Sequence, residues 1–177
     1  MTQSVFSCHL YLYRLQRILI LLLLMYGKTS LIKSAEVKDF KIWGDSMNRA
    51  TGKKFSQAQQ DDILHLIFDK IGTTNKYFVE FGFNFYLFDS EKRDIDKMEL
   101  NTRNLAKQGW NGTYFDAENE LPEFGVYKAL LTQETIAKEF SKVSVPQEPD
   151  YVSIDVDSID VWLMLGMFQG GYRPRVV

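Results

Sequence analysis

The sequence predicts a doubly wound α/β domain built on a mostly parallel sheet, and three observations lead there. Short β-rich runs alternate with helical patterns from residue 56 onward, at the spacing of βαβ units. Carboxylates close those runs, in Glu80, Asp116 and the pair Asp155 and Asp157. Apolar residues are 45% and charged residues 25% of 177, a globular balance sufficient for one packed core.

Ser56 opens an S-x-x-Q capping box with Gln59, and Ile63, Leu64, Ile67, Phe68 and Ile71 then recur at helical spacing up to Gly72. His65, among those apolar positions, is read as a helix-surface residue. Residues 76–82 (KYFVEFG) form the first strand, ended by glycine. Residues 83–100, aromatic and then strongly charged, read as an inserted loop or short surface helix. A helical pattern resumes over 101–110 and stops at Gly109; 113–116 (TYFD) is the second strand and 127–131 the third. Thr132 is the expected N-cap of a helix reaching Val143, closed off by Pro146 and Pro149. Residues 151–157 (YVSIDVD) make the fourth strand, 159–168 a helix, and 173–177 begin a fifth strand.

The amino-terminal part has a different character. Residues 18–26 (ILILLLLMY) are uninterruptedly apolar and follow Arg14 and Arg17, the pattern of a secretory signal. At ~1.5 Å per residue nine residues reach about half of a ~30 Å hydrocarbon core, so a spanning helix would have to recruit residues 10–15. Two alternatives stand for residues 1–35, a cleaved signal peptide or a signal anchor. Ser34-Ala35 offers small residues for cleavage, while Lys33 occupies a place where one is wanted. The expected organisation is a targeting segment over 1–35, a linker over 36–54 and the α/β domain over 55–177. A secreted or membrane-anchored location in the secretory pathway follows, with membrane association through residues 10–26. The triplet Asn111-Gly-Thr113 is an N-glycosylation sequon in that compartment.

Charge and cysteine content exclude several classes. Residues 1–35 hold four basic side chains and no acid, so the rest carries 17 basic against 23 acidic residues, a net of -6. Such a body repels phosphate backbones, and nucleic acid is not an expected partner. The single Cys8 forms no internal disulfide and no cysteine-rich metal site, and no metal is expected. After Gly82 the next glycine is Gly109, so neither G-x-G-x-x-G nor a P-loop is present. With only His9 and His65, and no G-x-S-x-G, a serine hydrolase triad is also missing.

Open parallel sheets bind ligands beyond the carboxyl ends of their strands, which gives the carboxylates their weight. Asp116, ending strand two, either accepts both hydroxyls of a ribose or caps its own turn. Glu80, inside an apolar run, is either near a ligand or satisfied by backbone amides. Asp155 and Asp157, two apart on an extended strand, point to one side as a clamp requires, or solvate the strand end.

Taken in order, SQAQQD (56–61), KYFVEFG (76–82), NTRNLAKQGWNG (101–112), YFDA (114–117), YVSIDVDS (151–158) and YRPRVV (172–177) resemble FkbM-type S-adenosylmethionine-dependent methyltransferases over residues 55–177. The resemblance implies a Rossmann-like fold. It places Glu80 and Gly82 in the first cofactor motif, Asn101 where the loop returns to its helix, Asp116 on the cofactor ribose, and Asp155 and Asp157 at the active-site floor. It also implies methyl transfer from S-adenosyl-L-methionine to an oxygen or nitrogen of a small-molecule or glycan acceptor, with Asp155 or Asp157 as base. Three features depart from the family pattern: residues 83–100 lack glycine, Ser158 stands where glycine is frequent, and the sequence stops inside strand five. The last suggests a carboxyl-terminally incomplete fold with an exposed edge over 173–177, prone to self-association. These departures keep open an alternative, a non-catalytic Rossmann-like binding domain, secreted or anchored.

Overall fold

A computed structural model describes residues 45, 52, 54–56, 58–89, 91–92 and 94–177. The targeting segment expected over 1–35 and most of the linker over 36–54 lie outside the described residues. Among the described residues no helix is long and apolar enough to cross a membrane.

The domain is a parallel sheet with helices on both faces. In chain order come α1 (Gln60–Ile71), β1 (Tyr77–Phe81), two 3-10 turns (Phe85–Leu87 and Asp96–Met98), α2 (Arg103–Lys107) and β2 (Asn111–Asp116). Then follow a 3-10 turn (Pro122–Phe124), β3 (Val126–Lys128), α3 (Ile136–Lys142), β4 (Tyr151–Ile154) and α4 (Asp160–Gln169). The sheet order is β3-β2-β1-β4 and all three pairings are parallel. The chain therefore runs outward from β1 on one side, then returns to add β4 on the other. This is the doubly wound α/β class expected from the sequence, and the reversal of strand order lies at β1 and β4.

Because both faces are covered, the strands are apolar on both sides. Val79, Phe81, Phe115 and Val152 pack with Ile136 and Phe140 of α3 and Leu163 and Met167 of α4. Phe78, Tyr114 and Val126 pack on the other face with Leu64 and Phe68 of α1, Leu105 of α2 and Trp110. Phe115 stacks on Phe140 at 5.5 Å between centroids, and Phe68 meets Trp110 edge-on at 4.9 Å. At about 25 cal/mol per Å2 of buried apolar surface, these two layers are the principal stabilisation of the sheet.

Several boundaries differ from the sequence reading. The Ser56/Gln59 capping box does not form: Gln59 is the N-cap and makes no side-chain cap bond. The buried Asp61 acts instead, its Oδ2 accepting the backbone N–H groups of Lys54, Phe55 and Ser56. The helix expected over 101–110 contracts to α2, and the amides of Asn101 and Thr102 before it are given to Glu80. It stops as expected at Gly109, at φ +84°, where Trp110 N–H reaches Leu105 C=O and Gly109 N–H reaches Ala106 C=O. Residues 83–100 are not a surface insertion, since Ile95, Met98 and Leu100 are buried in the core against α1 and β1. Thr132 heads a turn before α3, whose N-cap is Thr135. Strand four ends at Ile154, not at Asp157. Of the expected fifth strand the structure shows a parallel bridge, Val176 with Tyr151, on the outer side of β4.

Candidate functional site

The register fixes which side chains share a row. Glu80 lies opposite Tyr114 of β2 and Ser153 of β4. Side chains alternate along a strand, so Asp116, two residues past Tyr114 in β2, lies on the same face as Glu80, while Gly82 and Asp155 directly follow the last residues of β1 and β4 at the carboxyl edge. The sequence marked Glu80, Gly82, Asp116 and Asp155 separately; the sheet brings them together.

Glu80 realises the second of its two alternatives. One carboxylate oxygen accepts the Asn101 N–H at 2.7 Å; the other accepts the Thr102 N–H at 2.9 Å and the Thr102 hydroxyl at 2.6 Å. It is 2% exposed, and burial raises its pKa from 4.5 to about 7 despite those three donors. Its role here is to pin the turn that begins α2. Asn101, held by this bond, donates from Nδ2 to Ser153 Oγ at 3.2 Å. Its Oδ1 is buried without a partner among the described residues, an acceptor left over beside the reversal point.

Asp116 divides its two oxygens. Oδ1 accepts the N–H groups of Glu118 (2.9 Å) and Asn119 (2.6 Å) and the Asn119 side-chain amide (2.9 Å), which orients the carboxylate against its own turn. Oδ2 has no hydrogen-bond partner among the described residues. The capping alternative is thus realised by one oxygen, Oδ1.

Between these carboxylates stands Gly82, at φ +88°. A Cβ there would lie 1.8 Å from the Asp155 carbonyl oxygen, so only glycine lets the ends of β1 and β4 approach this closely. Asp155 follows the last residue of β4, and its N–H reaches Phe81 C=O at 3.3 Å. Asp157 is at φ +65° in the turn beyond, so the strand alternation that aligned the two acids does not apply to it. Burial, and then the like charges of Asp157 and Asp160, push the Asp155 carboxyl above its ordinary range. Asp160 is occupied, accepting the Val156 N–H at 2.9 Å. On the β2 side Phe83 stands edge-on to Tyr114 at 5.9 Å, an apolar wall that the glycine-poor loop supplies.

The resulting edge is acidic, with Asp116, Asp155, Asp157 and Asp160, and a gap in side chains at Gly82. Among the described residues no cluster of three or more potential metal ligands occurs. No protein-family model, curated protein or solved structure matches this chain.

Proposed function

We propose that this domain binds S-adenosyl-L-methionine at the carboxyl ends of β1, β2 and β4 and transfers its methyl group to an oxygen or nitrogen of a small-molecule or glycan acceptor. The observation that carries the reading is the grouping of Gly82, Asp116 and Asp155 at the reversal of strand order. The donor set fits the cofactor. Asp116 has one oxygen locked and one available for a ribose diol, Gly82 leaves backbone within reach, and an acidic edge attracts a cationic sulfonium. When bound, the cofactor supplies an electrophilic methyl group on sulfur.

The chain's own residues then orient and deprotonate. Glu80 holds Asn101 and Thr102 in place without meeting the ligand. Phe83 shields the site beside β2 from water. Asp155 Oδ takes the proton of the acceptor hydroxyl or amine, a task favoured by its raised pKa, with Asp157 as the other acid in reach of the same turn. Orientation of the acceptor in line with the methyl group supplies most of the remaining acceleration.

Titration calorimetry of the full chain with S-adenosylmethionine and S-adenosylhomocysteine tests the reading. Micromolar binding of both is expected. No heat with either, from a folded sample, overturns it and favours the alternative, a Rossmann-like domain that binds without catalysis.

A further inference from the structure

We infer that Asn111 is an N-glycosylation site, used before the sheet closes. Asn111-Gly112-Thr113 is the sequence's one N-x-[ST] triplet, and the apolar run over 18–26 behind Arg14 and Arg17 has the pattern of a signal for entry into the compartment where such triplets are modified. A sequon alone is a short pattern; its placement in the fold adds the argument.

Asn111 is the first residue of β2 and is exposed, and its side chain has no hydrogen-bond partner among the described residues. Its backbone is already committed, donating to Lys76 C=O at 3.0 Å, so the side chain stands at the rim with its amide open to solvent. The adjoining segment 72–76 is exposed along its whole length, which leaves room for a bulky polar group. Asn111 lies at the amino edge of the sheet. At ~3.3 Å per residue it is about 16 Å along β2 from Asp116, so a glycan there neither enters the core nor covers the carboxyl edge.

Thr113 sets the timing. It is 2% exposed, paired in register with Val79, and its hydroxyl lies 2.6 Å from the Tyr77 hydroxyl. A transferase reads the threonine hydroxyl of the sequon, and in the folded sheet that group is enclosed. Transfer therefore happens while β2 is still unpaired, as the chain enters the compartment. In the step, Asn111 Nδ2 forms a bond to the anomeric carbon of an oligosaccharide carried on a lipid pyrophosphate. The bond from that carbon to the pyrophosphate oxygen breaks, the lipid pyrophosphate leaves with the electron pair, and Nδ2 releases one proton.

The test is expression of the full chain in cells with a glycosylating secretory pathway, followed by peptide N-glycosidase treatment and mass spectrometry. A mobility shift is expected, with Asn111 converted to aspartate by the glycosidase. Asn111→Gln, at an exposed position, should lose the shift and keep its circular dichroism. Thr113→Ser retains a hydroxyl for both the sequon and Tyr77, and should keep the shift. Absence of a shift in the unsubstituted chain, or a shift that persists in Asn111→Gln, overturns the inference.

Discussion

At the residue scale the two oxygens of Asp116 have separable jobs, and substitution can part them. Asp116→Asn keeps an Oδ1 acceptor for Glu118 and Asn119 but removes the charge from Oδ2, the oxygen proposed for the ribose. A charge-assisted hydrogen bond is worth ~1.5 to 3 kcal/mol, so cofactor affinity should fall roughly ten- to a hundred-fold with little change in melting temperature. Equal affinity by calorimetry would remove Asp116 from the ribose. Asp116→Ala should lose affinity similarly and also lose about 1 kcal/mol of stability, since the 116–119 turn then lacks its acceptor. Gly82 makes the opposite kind of prediction. Its positive φ and the 1.8 Å approach to the Asp155 carbonyl mean that Gly82→Ala cannot be absorbed by a side-chain rotation. A cost of about 2 to 4 kcal/mol in urea unfolding is expected, and a neutral result would mean that β1 and β4 separate readily at this end.

The other end of the sheet is tied by a residue without a local sequence signal, Asp150. Asp150 is 0% exposed and accepts from the Thr74 N–H and hydroxyl, the Asn75 and Lys76 N–H groups, and Arg175 Nη1 at 2.7 Å. It thus joins the turn before β1, the start of β4 and the 173–177 segment. Burial acts to raise its pKa, but Arg175 and the donors of residues 74 and 76 outweigh it and hold the carboxyl below its ordinary range. Its stabilisation is accordingly present above pH about 4 and lost as pH falls below that. Asp150→Ala leaves Arg175 and three amides without their acceptor and should cost about 3 to 5 kcal/mol. Arg175→Ala should cost less, since four other donors remain. Chemical unfolding of both variants checks the order, and a reversed order would show that the ion pair outweighs the backbone amides.

At the scale of the whole molecule, Glu80 sets a pH trend. Its pKa is raised in the fold, from 4.5 to about 7, so its contribution is full below pH about 4.5 and is lost as pH rises through about 7. Asp150, Asp89 and Asp96, all lowered, act at the acid end instead. Stability should therefore peak near pH 5 and fall by about 2 to 3 kcal/mol towards pH 8. Glu80→Gln abolishes that titration. It places an amide donor against the N–H of Asn101 or Thr102, so it lowers absolute stability, but the fall in unfolding free energy towards pH 8 should shrink to the smaller part that Asp155, also raised, contributes. A variant as pH-dependent as the natural chain would assign the trend to other groups.

What could be read from the chain alone was what local periodicity and punctuation determine: the alternation of strands and helices, the stop at Gly109, and the carboxylates at strand ends. Each depends on residues a few positions apart. The tertiary structure decided the rest, because the deciding partners are remote in sequence. Glu80 is satisfied by amides 21 and 22 residues away, which makes one of four look-alike acids a support for the turn before α2. Asp150 had no local signal, since its partners lie 74 to 76 residues before it and 25 after. The charges of residues 83–100 read as surface, yet Ile95, Met98 and Leu100 are buried while, between them, Lys97 is exposed and the half-buried Asp96 pairs with Arg103 and Lys107. On an extended strand Asp155 and Asp157 would point to one side; β4 instead ends at Ile154, and Asp157 lies in the turn before α4 at φ +65°.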